Sequence, residues 1–459
     1  MAQKKGYQAL FRDAPVTSYH YVDNRLLIVD WASLSYHMFW SLDSAKNREK
    51  YGLMDAEGEL ALWRTMMVNR IIHYVALFNP RKLVFALEGK QAWRKQFVED
   101  YYKEHAVVYW EVKNEFYVVA DNYVYMVQRA DDGTFAVTKL SVKQLAEIKK
   151  LTHCKKLGEL PPDMQKTFWS ISTHSGTPIL PSYKGQRKAK PWPFSVEKKV
   201  WAAYREQFAK ELAPLFRAKA VQCLHAEGDD IIYASVQKYA GDSDDVIIIT
   251  RDSDMTQIAN PKVKILNHQT DTFINQDNPT YYLDHKVLCG DDSDNINGMA
   301  FVNEKDGKWK ADKGTQISDK GAVKLLENCS NIYSTAKEYG WDDQYMRNRT
   351  LIDLSMVPAD IKKEISFEMD APDPETVGGF ERLEFWEVPQ RVQNDYLRMQ
   401  TTGFYCVNSA NSRVVFDATR FAQYRVEAAK PPVEIDENAI VTADNFGLDE
   451  ELSDIDVIF

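Results

Sequence analysis

Uninterrupted apolar runs recur along the chain, and each leads into an acid. Leu26–Val29 end at Asp30, Leu83–Leu87 end at Glu88, and Val246–Ile249 run through Thr250 and Arg251 to Asp252. A short apolar run without polar alternation is the mark of a strand covered on both faces. Between these runs lie stretches of helical character, Trp31–Trp40 and Ala61–Phe78. Apolar strands separated by helices predict an α/β fold with a mainly parallel sheet flanked by helices. Such sheets hold their ligands beyond the carboxyl ends of the strands.

Other stretches break this rhythm. Val107–Thr138 alternates through VVYWEV, EFYVVADNYVYMVQR and, after the turn signal DDGT, FAVTKL, which reads as an antiparallel meander with its own small aromatic core. Phe301–Ser318 is rich in Gly, Lys and Asp and reads as a loop. Asn331–Phe421 reads as largely helical, punctuated by VPAD and DAPDP. The expected organisation is an extension over 1–25, a core built from 26–104 and 179–300, a β-rich insertion at 105–178, a C-terminal helical region at 331–430, and a disordered acidic tail at 431–459.

No apolar run approaches bilayer length, and the opening MAQKKGYQALFRD lacks the apolar segment of a signal peptide, so a cytoplasmic protein is expected. The five cysteines are scattered and indicate neither a disulfide framework nor a zinc site. The net charge of −10 hides its own distribution. Pro431–Phe459 carries nine acidic residues and no basic one, which leaves the remainder near −1. Pro181–Ala220 holds ten Lys or Arg against three Glu. A basic stretch on a near-neutral body suits a phosphate backbone, although a solvated lysine-rich helix face explains such runs equally well.

Acids stand where strands end or helices begin: Asp30, Glu88, the trio Glu227, Asp229 and Asp230 in HAEGDDIIYASV, Asp252 and Asp254 in RDSD, and Asp291 and Asp294 in CGDDSDN. Singly, each has a structural explanation as a helix cap or a first-turn acid. Gathered at one sheet edge they would repel one another unless cations intervened. Hard divalent ions such as Mg²⁺ take oxygen ligands and share their shell with water and phosphate. Two such ions would activate a water, clamp a phosphate and stabilise the departing oxygen. No histidine cluster, nucleophile elbow or Walker-A loop competes.

At these residues the chain resembles the flap-endonuclease/5′–3′ exonuclease superfamily, and within it the branch that contains the ribonuclease H of T-even bacteriophages. EGDDIIYAS, IIITRDSDMTQIA and VLCGDDSDNINGM follow one another as that family's acid helix, DxD and GDxSDN motifs, with AWRKQFVEDYYK, SYKGQRKAK and QYMRNRTLIDLSMVPADI as further likenesses. The resemblance implies a PIN-like 5′-nuclease core with a helical arch, and a helix–three-turn–helix over 285–330 interrupted at 301–318. It implies two Mg²⁺ ions, for which Mn²⁺ substitutes: Asp30, Glu88, Glu227 and Asp229, with Asp230 close by, for the first, and Asp252, Asp254, Asp291 and Asp294 for the second. Glu88 stands where the family usually has Asp. Lys184 and Arg187 would act on the scissile phosphate alongside the catalytic Asp252 and Asp254, and Lys188 would add to the basic arch. Tyr183 and Tyr36 would stack on an unpaired base, with a core role the alternative for both. Arg94, Lys90 and Lys320 would meet backbone phosphates, and a K⁺ ion is a candidate at the helix–three-turn–helix.

The implied function is removal of RNA primers and 5′ flaps from DNA or RNA–DNA hybrid during phage replication, in the host cytoplasm. The terminal LDEELSDIDVIF resembles peptides that dock on sliding clamps or single-stranded-DNA-binding proteins, with Ile455, Ile458 and Phe459 as the apolar contacts. Two rivals are a structure-specific DNA-binding replication protein with a decayed site, motivated by Glu88 and the insertions, and a PIN-type RNA nuclease, against which GDDSDN with its downstream KGAVKLL tells.

Overall fold

The computed structural model describes residue 19 and residues 22–416, except 45–48, 51, 53, 113, 122, 131–132, 141–143, 175–179, 181, 186–190, 275–277, 306–307, 373–378, 403–404 and 408–413. Leu26–Asp30 lie within strand β1 (Arg25–Asp30), every residue of which is buried, and Asp30 caps helix α1 (Trp31–Ser41). Helix α2 (Ala56–Phe78) returns the chain to β2 (Lys82–Ala86), and α3 (Trp93–His105) follows. These strands join a six-stranded sheet with β8 (Ala218–Val221), β9 (Asp245–Ile249), β10 (Val263–Asn267) and β11 (Thr272–Ile274), in the order β11-β10-β9-β1-β2-β8. All neighbours are parallel except β10 and β11. The sheet is thus the mixed α/β, parallel-rich sheet flanked by helices that the apolar runs predict. Because β1 lies between β2 and β9, strand order reverses beside it, and the carboxyl ends there open a crevice.

Both faces are covered. Leu27, Val29, Phe85, Ile247 and Ile249 face Trp31, Trp63, Trp201 and Phe208 on one side, while Leu26, Ile28, Val84 and Ile248 face Ile231, Ile232, Ile361 and Ile365 on the other. The C-terminal helices belong to these cores. Leu383, Trp386, Val392 and Tyr396 pack in the first, and the Tyr396 hydroxyl donates to the Leu215 carbonyl at 2.9 Å. The segment after α3 forms an antiparallel sheet, ordered β6-β5-β4-β3-β7, from β3 (Val107–Trp110), β4 (Glu115–Ala120), β5 (Tyr123–Arg129), β6 (Phe135–Leu140) and β7 (His153–Lys156). Two short strands, β12 (Gly290–Asp291) and β13 (Ile296–Asn297), pair across the GDDSDN turn.

One expectation is corrected. The polar stretch taken as a loop forms two paired strands, β14 (Ala300–Lys305) and β15 (Lys308–Gln316). Its composition masks the strand signal, but Asp306-Gly307 between the halves is a hairpin dipeptide that could have revealed it.

A buried histidine sets an acid limit on this fold. His268 is fully buried, its Nε2 lies 2.8 Å from the Ser33 hydroxyl, and burial together with His37, Arg70 and Arg251 lowers its pKa from 6.5 to about 3. Above pH 6.5 the ring is neutral in both folded and unfolded chains, and its contribution to stability is complete. As pH falls from 6.5 towards 3 only the unfolded chain takes up the proton, so stability is lost, by about 1.4 kcal/mol per pH unit at most. His268→Gln should flatten the fall of urea-unfolding free energy across that window. Parallel pH profiles for the two proteins would contradict this.

Candidate metal centre and phosphate cleft

The acids converge because the strands end together. Asp30 closes β1. Its Oδ1 accepts from the Ser33 amide at 2.9 Å and its Oδ2 from the Thr250 hydroxyl at 2.7 Å, so it is a helix cap and a site acid at once. Burial, reinforced by Asp252, raises its pKa to about 6. Glu88 follows β2 with its Oε2 3.3 Å from the Gly228 amide, and burial, then Glu227, raise it to about 7. Asp229 is raised well above the usual range by burial, Asp252 and Asp30. Asp252 caps the helical turn Ser253–Ile258, its Oδ1 accepting from the Asp254 amide at 2.9 Å.

Glu88 reaches this wall because Gly89 follows it. The Gly89 amide donates to the Ala226 carbonyl at 2.9 Å, and a Cβ there would lie 2.3 Å, 2.4 Å and 2.7 Å from the carbonyl oxygens of Cys223, Ala226 and Leu224. Gly89→Ala is therefore expected to push the two turns apart, costing about 1–3 kcal/mol in urea unfolding and withdrawing Glu88 from its neighbours. An unchanged unfolding midpoint would show that the turn gives way freely.

Asp30, Glu88, Glu227, Asp229 and Asp252 line one cleft of about 980 Å³, whose other walls carry Lys90, Lys95, Lys184, Arg205 and Arg251. A small cavity of about 20 Å³, room for about one water-sized occupant, is lined by Asp229, Asp254, Asp291 and Asp294, so Asp229 borders both spaces. Among the described residues, the ion pairs of the cleft wall stop at Glu227, which takes Lys184 Nζ at 2.6 Å and Arg94 at 3.0 Å. Burial works to raise the Glu227 pKa, but these two cations outweigh it and hold the group below its ordinary value. Asp30, Glu88, Asp229 and Asp252 face the cleft without a paired lysine or arginine among the described residues. Carboxylates gathered without paired cations are a donor set that fits hard divalent cations. No three of them bring oxygens within 4.8 Å of one another, so an ion held here would complete its shell with water or phosphate.

The second acidic group already holds a cation. Lys286, on helix α7 (Pro279–Cys289; α4 is Pro162–His174, α5 Lys198–Leu212 and α6 Gly228–Tyr239), donates to Asp254 Oδ1 and lies 2.8 Å from Asp291 Oδ2. Burial and the Asp252 and Asp291 charges raise Asp254 to about 6 against the pull of Lys286. Asp291 is held below its usual range, since Lys286 and the Ser293 amide outweigh burial. Lys184 adopts a left-handed backbone, φ 58°, and its amide donates to the Asp294 carbonyl at 2.9 Å, so the GDDSDN turn fixes the lysine over the cleft.

Several sequence expectations are corrected. Arg94 is no phosphate contact: it is buried, paired with Glu227 and with Asp230 at 2.8 Å, and donates to the Leu351 carbonyl at 3.0 Å. Asp230 is wholly enclosed by Arg94 and the Trp93 indole, which donates at 3.0 Å, and so cannot face an ion in the cleft. Tyr183 is no stacking platform, being buried with its hydroxyl donating to Glu227 at 3.0 Å and Asp294 at 3.1 Å. Tyr36 does line the cleft, its ring against Trp201 and 5.0 Å from the Arg205 guanidinium. Lys90 is exposed at the rim, and Lys320 is exposed at the start of α8 (Asp319–Asn328). Arg187, Lys188, Ile455, Ile458 and Phe459 lie outside the described residues. Sequence reasoning missed Lys95, Arg205, Arg251 and Lys286. Only Arg251, beside the DxD acids, carried a positional signal.

Residues 164–284 match the family model described as 5′–3′ exonuclease, N-terminal resolvase-like domain, a span that includes Lys184, Glu227, Asp229, Asp252 and Asp254. The thermostable DNA polymerase I of Thermus aquaticus is 25% identical over 194 residues, covering 38% of this chain and 22% of that protein. DNA polymerase I of Lactococcus lactis subsp. cremoris is 28% identical over 240 residues, covering 47% and 25%. The 5′–3′ exonuclease of Buchnera aphidicola subsp. Schizaphis graminum is 25% identical over 174 residues, covering 35% and 52%. The chain thus aligns with between about a fifth and a half of each relative's length. The solved structure of T5 5′-exonuclease with zinc ions bound aligns over 76% of this chain and 99% of its own, at 13% identity and a TM-score of 0.40.

Proposed function

This chain belongs to the flap-endonuclease/5′–3′ exonuclease superfamily, and from that premise we propose that it is a Mg²⁺-dependent nuclease that removes RNA primers and 5′ flaps during lagging-strand replication. The observation that carries the reading is a wall of four carboxylates without paired cations among the described residues, set in a cleft whose other walls are cationic. In this reading Asp30, Glu88, Glu227, Asp229 and Asp252 surround one ion, and Asp229, Asp254, Asp291 and Asp294 a second, most of them acting through bound water, with Mn²⁺ as a substitute. When bound, such ions supply an activated water and neutralise charge at the scissile phosphate. Lys184, fixed by Glu227 and the Asp294 carbonyl, offers its ammonium to the phosphate's developing charge. Lys90, Lys95 and Arg251 at the rim bind backbone phosphates, and this contact reads no sequence. Glu88 lines the cleft with the other acids, which supports a working site over a decayed one.

The second group differs from this wall in one respect, since the Lys286 ammonium stands between Asp254 and Asp291. A divalent ion entering there displaces that ammonium, so Lys286→Met should tighten Mn²⁺ binding at the second group by about tenfold, equivalent to about 1.4 kcal/mol. Paramagnetic-resonance titration of Mn²⁺ measures this, and equal affinities in the two proteins would refute it. The K⁺ ion at GDDSDN, and recruitment by a sliding clamp or single-strand-binding protein through the tail, complete the proposal. The nuclease reading is tested with end-labelled flap, RNA–DNA hybrid and blunt duplex in Mg²⁺: products shortened from the 5′ side of the first two are expected. Intact substrates throughout would leave a binding protein as the better account.

A further inference from the structure

Among the described residues, one cluster of metal donors lies outside the cleft. His285 Nε2, Cys289 Sγ and one Asp319 carboxylate oxygen all lie within 4.8 Å of one another, with sulfur and nitrogen 3.7 Å apart. The first two are four residues apart on α7 and so share one face of that helix. Asp319 comes from the first turn of α8. It is not spent on capping, because the Ser318 hydroxyl at the N-cap already takes the Gly321 amide at 3.2 Å. Donors about 2.3 Å (sulfur) and 2.0–2.1 Å (nitrogen) from one tetrahedral ion stand about 3.6 Å apart, so the His285–Cys289 pair needs almost no movement.

We infer that His285, Cys289 and Asp319 form a structural zinc site, with water as the fourth ligand, that clips α7 to α8 across the base of the β14–β15 hairpin. The chain leaves the trio at Cys289, runs through the hairpin and returns at Asp319. A metal bond there closes that excursion and offsets the loop entropy the insertion adds. The mixed nitrogen, sulfur and oxygen set selects zinc over Mg²⁺, which takes oxygen alone. Zinc takes the thiolate, so binding releases the Cys289 proton and tightens with rising pH. This site shares no ligand with the acid wall and stands or falls apart from the nuclease reading. The spacing His285-x-x-x-Cys289 was visible in the sequence, but its third ligand lies thirty residues downstream.

The test is a Co²⁺ titration of the full chain, with excess Mg²⁺ to occupy oxygen-only sites. One equivalent should produce the near-ultraviolet thiolate-to-cobalt band. The band should vanish in Cys289→Ser, weaken in His285→Gln and persist in Asp252→Asn, which leaves the trio intact. Zinc should raise the melting temperature of the wild type and not that of Cys289→Ser. His285→Gln serves the same comparison should Cys289→Ser fail to fold. Absence of the band in the wild type, or its full retention in either trio variant, overturns the site.

Discussion

Asp252→Asn is expected to lower flap cleavage by about 10²–10³-fold, the usual cost of removing one preorganised charge from a reacting centre, while leaving substrate binding nearly unchanged. The amide is isosteric, and its oxygen still accepts the Asp254 amide that shapes the turn Ser253–Ile258. What disappears is the charge that faces Asp229 and Asp30 across the cleft. In the proposed reading binding rests on different groups, the rim cations Lys90, Lys95 and Arg251 that line the cleft. Single-turnover rates and filter-binding affinities on one labelled flap separate the two effects. Undiminished cleavage would remove Asp252 from the chemistry, and an equal loss of rate and affinity would recast it as a folding residue.

Arg94→Leu should produce the largest loss of stability, about 3–5 kcal/mol, as expected when one partner leaves a buried ionic network. Its guanidinium ties α3 to Glu227 and Asp230 at the start of α6 and to the Leu351 carbonyl in α10 (Asp342–Ile352; α9 is Ile332–Glu338). Without it the enclosed Asp230 loses its cation and Glu227 keeps only Lys184 among the described residues. Lys95→Ala, one residue along on the exposed side, should leave the unfolding free energy within about 0.5 kcal/mol and instead weaken DNA binding and lower its salt dependence. Urea unfolding and salt-titrated binding of both variants measure the contrast. A stable Arg94→Leu with weakened DNA binding would restore the phosphate contact that the sequence suggested.

That contrast shows where the sequence stopped being legible. LLIVD and VIIIT fall on β1 and β9, because strands buried on both faces admit no polar alternation to blur the signal. Asp30, Glu88 and Asp252 were visible because each follows such a run, and the other acids because they cluster in EGDD, RDSD and GDDSDN. Which basic residue of AWRKQ turns inwards was not visible, since neighbours on a helix point about 100° apart and the phase depends on what packs against Trp93 and Val98. Tyr183 looked like a surface aromatic beside lysines, but the turn that buries it is held by Asp294 and Asn295, more than a hundred residues away. Lys286 could not be read as a partner of Asp254 because α7 brings it there only once folded.

The measurement that bears most directly on the central claim is the single-turnover rate of 5′-flap cleavage as a function of Mg²⁺. The rate should rise from nothing in chelator, recover fully when Mg²⁺ is restored, and stay near the chelated level at every concentration in Asp252→Asn. Cleavage that persists in chelator, or that never appears at any Mg²⁺ concentration, would contradict a divalent-ion nuclease built on the acids around Asp30 and Asp252.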